Sequence, residues 1–99
     1  MIAAFDPLLR RAKAGKVIGV TSSVGRDPRA YWGAYGASKA AQIALARSWQ
    51  AETVQTGPRV LIDSPAPMPT AVRARFHPGE DRGALAPCRD EAARILSLL

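Results

Sequence analysis

Two short apolar runs, Lys16-Val17-Ile18-Gly19-Val20-Thr21 and Arg59-Val60-Leu61-Ile62, constrain this chain more than any other feature. Both are rich in β-branched residues and lack polar alternation, the pattern of strands buried on both faces of a parallel sheet. Between them lies a stretch rich in Ala and free of Pro, residues 33–56, followed by Gly57-Pro58. A Gly past a helix end with a Pro behind it is a stop signal. Parallel strands need a crossover, and a helix of this length supplies one, right-handed by the usual chirality. The expectation is α/β architecture: strands over 16–21 and 59–62, about two in all, with flanking helices.

The other segments divide by the same rules. Residues 2–14 carry Ile2, Phe5, Leu8, Leu9 and Ala12 at helical spacing, with Arg10, Arg11 and Lys13 on the wet face. Pro7 predicts either a helix start near Asp6 or a kink, and Gly15 a stop. Ser22 to Trp32 reads as loop. Three prolines in Ser64-Pro65-Ala66-Pro67-Met68-Pro69-Thr70 exclude regular structure there. Thr70 is a cap for a short helix over 71–76, and 77–87 reads as loop around Pro78-Gly79. Pro87 suits the first turn of a final helix over 89–98, with Asp90 and Glu91 where the helix dipole favours acids. The whole is read as a single domain over residues 1–99.

Composition narrows the class. The chain is 47% hydrophobic and 22% charged, which excludes disorder as the default. No apolar run approaches the ~20 residues of a membrane span. Met1 to Pro7 shows no secretory leader pattern, and Cys88 is the single cysteine, so a cytoplasmic, reducing compartment is expected. Cys88 and the lone His77 form no ligand set, and no metal is assigned. The net charge of +6 is uneven: residues 1–50 hold eight basic groups against two acids, residues 51–99 six against six. A basic half suits an anionic partner, a nucleic acid or a phosphate-bearing cofactor. Arg10, Arg11, Lys13 and Lys16 also lie where a helix ends, and cations there complement its dipole. Without zinc-finger spacing or a Gly-aromatic run, nucleic acid is the lesser reading.

Chemistry concentrates in Tyr35-Gly36-Ala37-Ser38-Lys39. Tyr and Lys four apart share one helix face. A free phenol titrates near 10, and a fixed ammonium beside it favours the phenolate. Such a pair can act as general acid or base on an alcohol or carbonyl oxygen. Ser22, thirteen residues earlier, closes the first strand, where a hydroxyl could hold the same oxygen. Strand carboxyl ends are also where open α/β sheets place ligands. Taken alone, Tyr-x-x-x-Lys is more often a tyrosine packed on a lysine stem than a catalytic pair.

The run Val17 to Gly25, followed by Trp32-Gly33-Ala34-Tyr35-Gly36-Ala37-Ser38-Lys39-Ala40-Ala41, resembles the short-chain dehydrogenase/reductase family. Three features match together: a strand ending in Ser, the Ser-to-Tyr spacing, and the Tyr-x-Ala-Ser-Lys-Ala-Ala helix. Arg59-Val60 and the Pro65 to Thr70 loop fall where that family has its next strand and its cofactor loop. The resemblance covers about residues 2–75. It implies a partial, truncated Rossmann-type doubly wound parallel sheet. It implies NAD or NADP as cofactor and a secondary alcohol or ketone as substrate. By position, the resemblance implies Tyr35 as the acid/base. It implies that Lys39 would lower the Tyr35 pKa and hold the nicotinamide ribose, and that Ser22 would orient substrate, with Ser23 as the alternative. Pro65 and Thr70 would border the nicotinamide. The helix over 33–56, with its small face of Ala37, Ala41, Ala44 and Ser48, would serve a homo-oligomer.

The family's Thr-Gly-x-x-x-Gly-x-Gly diphosphate loop has no counterpart in these 99 residues, nor has its Asn-Asn-Ala-Gly strand end. The chain therefore resembles the carboxyl-terminal portion of the fold. Alone it is expected to be inactive and, with an open strand edge, to self-associate. The alternative is a non-enzymatic fragment that pairs with a full-length relative. Leu61, Asp63, Ser64 and Ala66 depart from the family pattern; a charge at Asp63 is costly unless paired or solvated, and Ala66 is strained if its φ must be positive. Trp32 and Trp49 are expected in a core or interface. Asp6 and Glu52 have no partner that sequence identifies.

Overall fold

A computed structural model describes residues 1–55 and 57–99. Two compact units follow one another along the chain, Met1–Ser64 and Pro65–Leu99. The first contains α1 (Ile2–Arg11), β1 (Lys16–Val20), α2 (Gly33–Glu52) and β2 (Arg59–Asp63). The second contains α3 (Ala71–Phe76) and α4 (Cys88–Ser97). The strands pair in parallel, from Lys16 beside Arg59 to Val20 beside Asp63. Hydrogen bonds from Arg59 N–H to the Gly15 carbonyl and from Thr21 N–H to the Asp63 carbonyl, each 2.9 Å, carry the pairing past both ends. With α2 as the crossover, this is the α/β unit that the two apolar runs predict.

Burial on both faces, however, is not reached. Val60 is buried, Val17, Ile18 and Gly19 are half-buried, and Val20 is exposed. A sheet of two strands leaves each with a free edge, so neither occupies the centre that fully buries a strand. Side-chain amides of α2 address some of these open backbone groups. Gln42 Nε2 donates to the Val20 carbonyl at 3.3 Å and Gln50 Nε2 to the Val60 carbonyl at 2.7 Å. The small core consists of Val24, Ile43, Trp49 and Val60.

Helix boundaries depart from the sequence reading for local reasons. The first helix begins at Ile2 and contains Pro7, rather than starting near Asp6. Pro7 withholds an N–H from the Ala3 carbonyl, but Asp6 beside it ties the helix down. Its Oδ1 accepts from the Trp49 indole and its Oδ2 from Arg10 Nε, both at 2.8 Å. Gly15 lies four residues past the helix end and has no positive φ. Its role is close approach: a Cβ there would stand 2.6 Å from the Leu9 carbonyl oxygen. The second helix ends at Glu52, short of the expected 56, and residue 56 lies outside the described residues. Thr53, buried, turns its hydroxyl back onto the Trp49 and Gln50 carbonyls at 3.1 and 3.2 Å, satisfying the end of the helix before the Gly-Pro stop.

In the second unit, Thr70 caps α3 as expected, accepting from Arg73 N–H at 3.2 Å. The segment read as loop includes a short 3-10 turn, Arg82–Ala84, because Asp81 accepts from Gly83 N–H at 3.0 Å. Arg73 makes two bonds to the Glu80 carboxylate, at 2.8 and 2.6 Å. Pro87 is the N-cap of α4 rather than part of its first turn, since its ψ of 137° is extended. Glu91 in that turn is buried and accepts from Arg94 Nε and from the Ala66 N–H, both at 2.9 Å. Ala66 has no positive φ, so the strain considered for it does not arise.

Two outcomes follow from these contacts. The hydrogen bond from Arg10, and after it that from Trp49, holds the Asp6 carboxyl below its ordinary 3.8. A folded-state pKa below the unfolded one stabilises at pH above the unfolded value, and that stabilisation is lost as pH falls through the folded value. Asp6→Asn should therefore lower the thermal midpoint at pH 7, and the gap from wild type should narrow in acid; circular dichroism melts across pH check this. The two free strand edges predict self-association, read as a melting midpoint and sedimentation coefficient that depend on concentration. A reversible, concentration-independent melt of a monomer would contradict it.

Candidate active site

Ser22 leaves the carboxyl end of β1 in extended conformation and caps a 3-10 turn over Ser23–Gly25. Its Oγ accepts from Val24 N–H at 3.4 Å, which leaves the hydroxyl proton available to a ligand oxygen. Ser23, the alternative, is exposed within the turn, and its carbonyl accepts from the N–H groups of Arg26 and Asp27. Directly before Ser22, Thr21 is buried and its Oγ1 has no hydrogen-bond partner among the described residues.

This turn is seated on α2 by apolar and backbone contact. Val24 is buried, and Gly36 of α2 is small enough to receive it: a Cβ at Gly36 would come 3.4 Å from Val24 Cγ1. Gly25 approaches closer still. A Cβ there would lie 2.9 Å from the Lys39 carbonyl carbon and 3.0 Å from Ala40 N. The absence of a side chain at Gly25 thus lets the segment bearing Ser22 rest on the helix turn bearing Lys39.

Tyr35 and Lys39 share a face of α2, as their spacing predicts. The Lys39 ammonium stands over the Tyr35 ring, 5.4 Å from its centroid. Trp32, one turn earlier, meets the same ring edge-on at 5.5 Å and 86°. Ser38 Oγ donates to the Tyr35 carbonyl at 2.7 Å. Tyr35 therefore has its ring braced by Trp32 and Lys39 while the residue stays 44% exposed. Exposure suits a phenol that must meet a substrate oxygen.

Sequence reasoning placed Trp32 and Trp49 in a core or interface. Trp49 is buried, whereas half-buried Trp32 braces the candidate acid/base. The three-residue spacing of Trp32 and Tyr35 was the available signal. Tyr31, wholly exposed, holds a φ of 67°, a left-handed conformation unusual for a bulky residue, and nothing in its sequence context signals it. Pro65 and Thr70 belong to the second unit, where Pro65 opens the proline-rich segment and Thr70 caps α3. Asp63 is half-buried at the end of β2, beside Val20. Among the described residues no His, Cys, Asp and Glu cluster could hold a metal ion, and no helix is long and apolar enough to cross a membrane.

The family model for short chain dehydrogenases matches residues 1–81. The chain belongs to the short-chain dehydrogenase family. It is 43% identical over 75 residues to an uncharacterized oxidoreductase, YciK, of Escherichia coli strain K12. Its fold matches the structure of a short chain dehydrogenase from Pseudomonas syringae with a TM-score of 0.76 and 34% identity. Those regions make up 76% and 90% of this chain, but only 29% and 36% of the two relatives. The partial Rossmann-type reading of the sheet thus holds.

The seating of the Ser22 turn predicts a sharp asymmetry between two glycines. Gly25→Ala forces a Cβ against backbone of α2 and should destabilise by ~1–3 kcal/mol, the range for overpacking. Gly33→Ala, where a Cβ meets nothing within 4 Å, should be neutral or slightly stabilising. Urea unfolding of the two variants compares them directly.

Proposed function

We propose that Ser22, Tyr35 and Lys39 form the proton-transfer group of an NAD(P)-dependent oxidoreductase acting on a secondary alcohol or ketone. The observation that carries this reading is the Lys39 ammonium over the exposed Tyr35 ring, on the helix turn against which the Ser22 segment rests. In the direction of alcohol oxidation, the Ser22 hydroxyl donates to the substrate oxygen and fixes its position. The Tyr35 phenolate takes the alcohol proton, and in reduction the phenol returns it. Lys39, its ammonium over the Tyr35 ring, holds that ring in place. The hydride acceptor or donor is the nicotinamide ring that the cofactor supplies when bound.

The residues present fit one end of such a cofactor. An exposed phenol and a neighbouring ammonium suit the ribose next to nicotinamide. A glycine-rich turn for the diphosphate is not among these 99 residues. The reading is therefore that the acid/base group works together with a diphosphate-binding segment, and that the 99 residues by themselves do not turn over substrate. The exposed small face of Ala37, Ala41, Ala44 and Ser48 supports a further element of the proposal, helix-to-helix pairing of two copies through α2.

Two measurements test this. Fluorescence titration of the 99-residue chain with NADH and NADPH should show no saturable binding at micromolar concentration, and saturation would overturn the inactivity. A chimera in which residues 1–81 replace the matching segment of the Pseudomonas syringae dehydrogenase should oxidise members of a secondary-alcohol panel with NAD or NADP. Tyr35→Phe in that chimera should lose ~10²–10⁴-fold in rate. An active chimera indifferent to Tyr35→Phe would refute the assignment.

A further inference from the structure

Between α1, α2 and the outer edge of β1 runs an apolar groove of about 1010 Å³. Its walls are α1, through Ile2, Phe5 and Leu9, and α2, through Leu45, Ala46 and Trp49, and β1 forms its floor. We propose that this groove takes one bare apolar β-strand of a second polypeptide, laid parallel along β1.

The backbone of β1 calls for an extended chain. The Gly15 carbonyl accepts from Arg59 N–H, and Thr21 N–H donates to the Asp63 carbonyl. Successive residues of a strand address opposite sides, so Val17 and Gly19 also face β2, in keeping with their register. Lys16, Ile18 and Val20 then turn their N–H and C=O groups toward the open side. A row of such groups, two residues apart, is a template for strand addition. The 3.3 Å bond from Gln42 Nε2 to the Val20 carbonyl is a side-chain substitute for one of those pairs. β1 already pairs in parallel with β2, and sheets covered by helices tend to be parallel throughout.

Thr21 is an independent sign of a missing neighbour. It lines the groove where β1 ends, is 9% exposed, and its Oγ1 has no hydrogen-bond partner among the described residues. A buried hydroxyl left unpaired is costly, and a polar group at the end of an incoming strand satisfies it.

Charge and shape select the occupant. In a chain of net charge +6, Lys16 alone among the lining residues is charged, and it lies at the end away from Thr21, so the strand is uncharged along its length. A second copy fits badly. A Cβ at Gly19 would lie 3.9 Å from Ala46 Cβ of α2, and α1 adjoins α2 through Asp6 and Trp49, so each copy carries both helices on one face of its sheet. Pairing two β1 edges would set four helices, about 40 Å across, over four strands spanning about 19 Å. A bare strand brings no helix to that face. The matched regions make up only 29% and 36% of the two relatives, so polypeptides of this family hold ample further chain to supply one. The inference rests on the α/β unit and not on the proposed proton-transfer chemistry.

Fluorescence anisotropy of a labelled, end-blocked hexapeptide, Ser-Val-Ile-Val-Leu-Asn, titrated with the full chain, tests it. The expected result is saturable one-to-one binding. It should weaken at least tenfold when Pro replaces the peptide's Ile, or when the chain carries Ile18→Pro or Leu45→Glu. Val54→Glu, at an exposed residue outside the groove, should leave it unchanged. Ile18→Pro removes an outward N–H while the groups paired with β2 stay in place. If circular dichroism shows that variant unfolded, Leu45→Glu decides, since Leu45 is 63% exposed. Replacing the peptide's Asn by Val should weaken binding to the wild type and not to Thr21→Val; an equal loss in both overturns the parallel placement and the proposal with it. Absence of saturation overturns it, as does equal binding of the Pro peptide or equal binding by Leu45→Glu. A dimer seen in sedimentation that Leu45→Glu dissociates and the peptide does not displace would give the groove to a second copy, and overturns it as well.

Discussion

The approach of Gly25 to the backbone at Lys39 and Ala40 is the contact on which the candidate site depends. A loop of ten or so residues after a strand has many ways to lie, and catalysis by Ser22 needs one of them. The loop is fixed because a residue without Cβ meets a helix backbone, while the neighbouring Val24 fills the notch left by Gly36. Both contacts are short and steric, so they restrict position more tightly than the single 3.4 Å hydrogen bond at Ser22 could. The loop's glycine and the helix's glycine work as a pair: one removes bulk from the turn, the other from its receptor.

The other end of α2 is fixed by polar means. The Trp49 indole donates to Asp6, Asp6 also receives Arg10, and buried Thr53 takes the carbonyls of Trp49 and Gln50. Between these ends, Gln42 and Gln50 reach strand carbonyls. The long helix is thus anchored to α1, β1 and β2 by side chains whose spacing follows its own turns. With four apolar core residues among the described residues of that unit, these anchors carry more of the specification than the core does. That balance explains how Tyr35 can remain exposed: the helix is held from its far end and its sheet-facing side, and its first turn need not be buried to stay in place.

Much of this was legible in the sequence, and what escaped it has a common cause. The two strands, the crossover helix, the Thr70 cap and the Tyr35–Lys39 face all follow from spacing over a few residues, where local geometry decides. The link from Asp6 to Trp49 spans 43 residues, and no periodicity announces it. The burial of Glu91 is similar, because its partner, the Ala66 N–H, lies 25 residues away. Helix ends were misjudged where a side chain competes with the obvious punctuation: Thr53 closes α2 before Gly57-Pro58 can, and α1 runs through Pro7. The strands read as centrally buried because their composition suits a wider sheet, and composition reports the environment a segment fits, not the neighbours it has in a two-stranded sheet.

The uneven charge can now be divided along the sheet. Lys39 stands at the carboxyl end of the strands, where its ammonium faces a phenol and where an anion-bearing cofactor would be drawn. Arg10, Lys13, Lys16 and Arg59 gather at the amino end, where Arg10 is already paired with Asp6. A nucleic-acid surface would spread its cations along one face to follow a phosphate backbone. Here Lys39 and the pair Lys16 and Arg59 stand at opposite ends of the strands and Arg10 is committed to Asp6, so these charges do not form one continuous track.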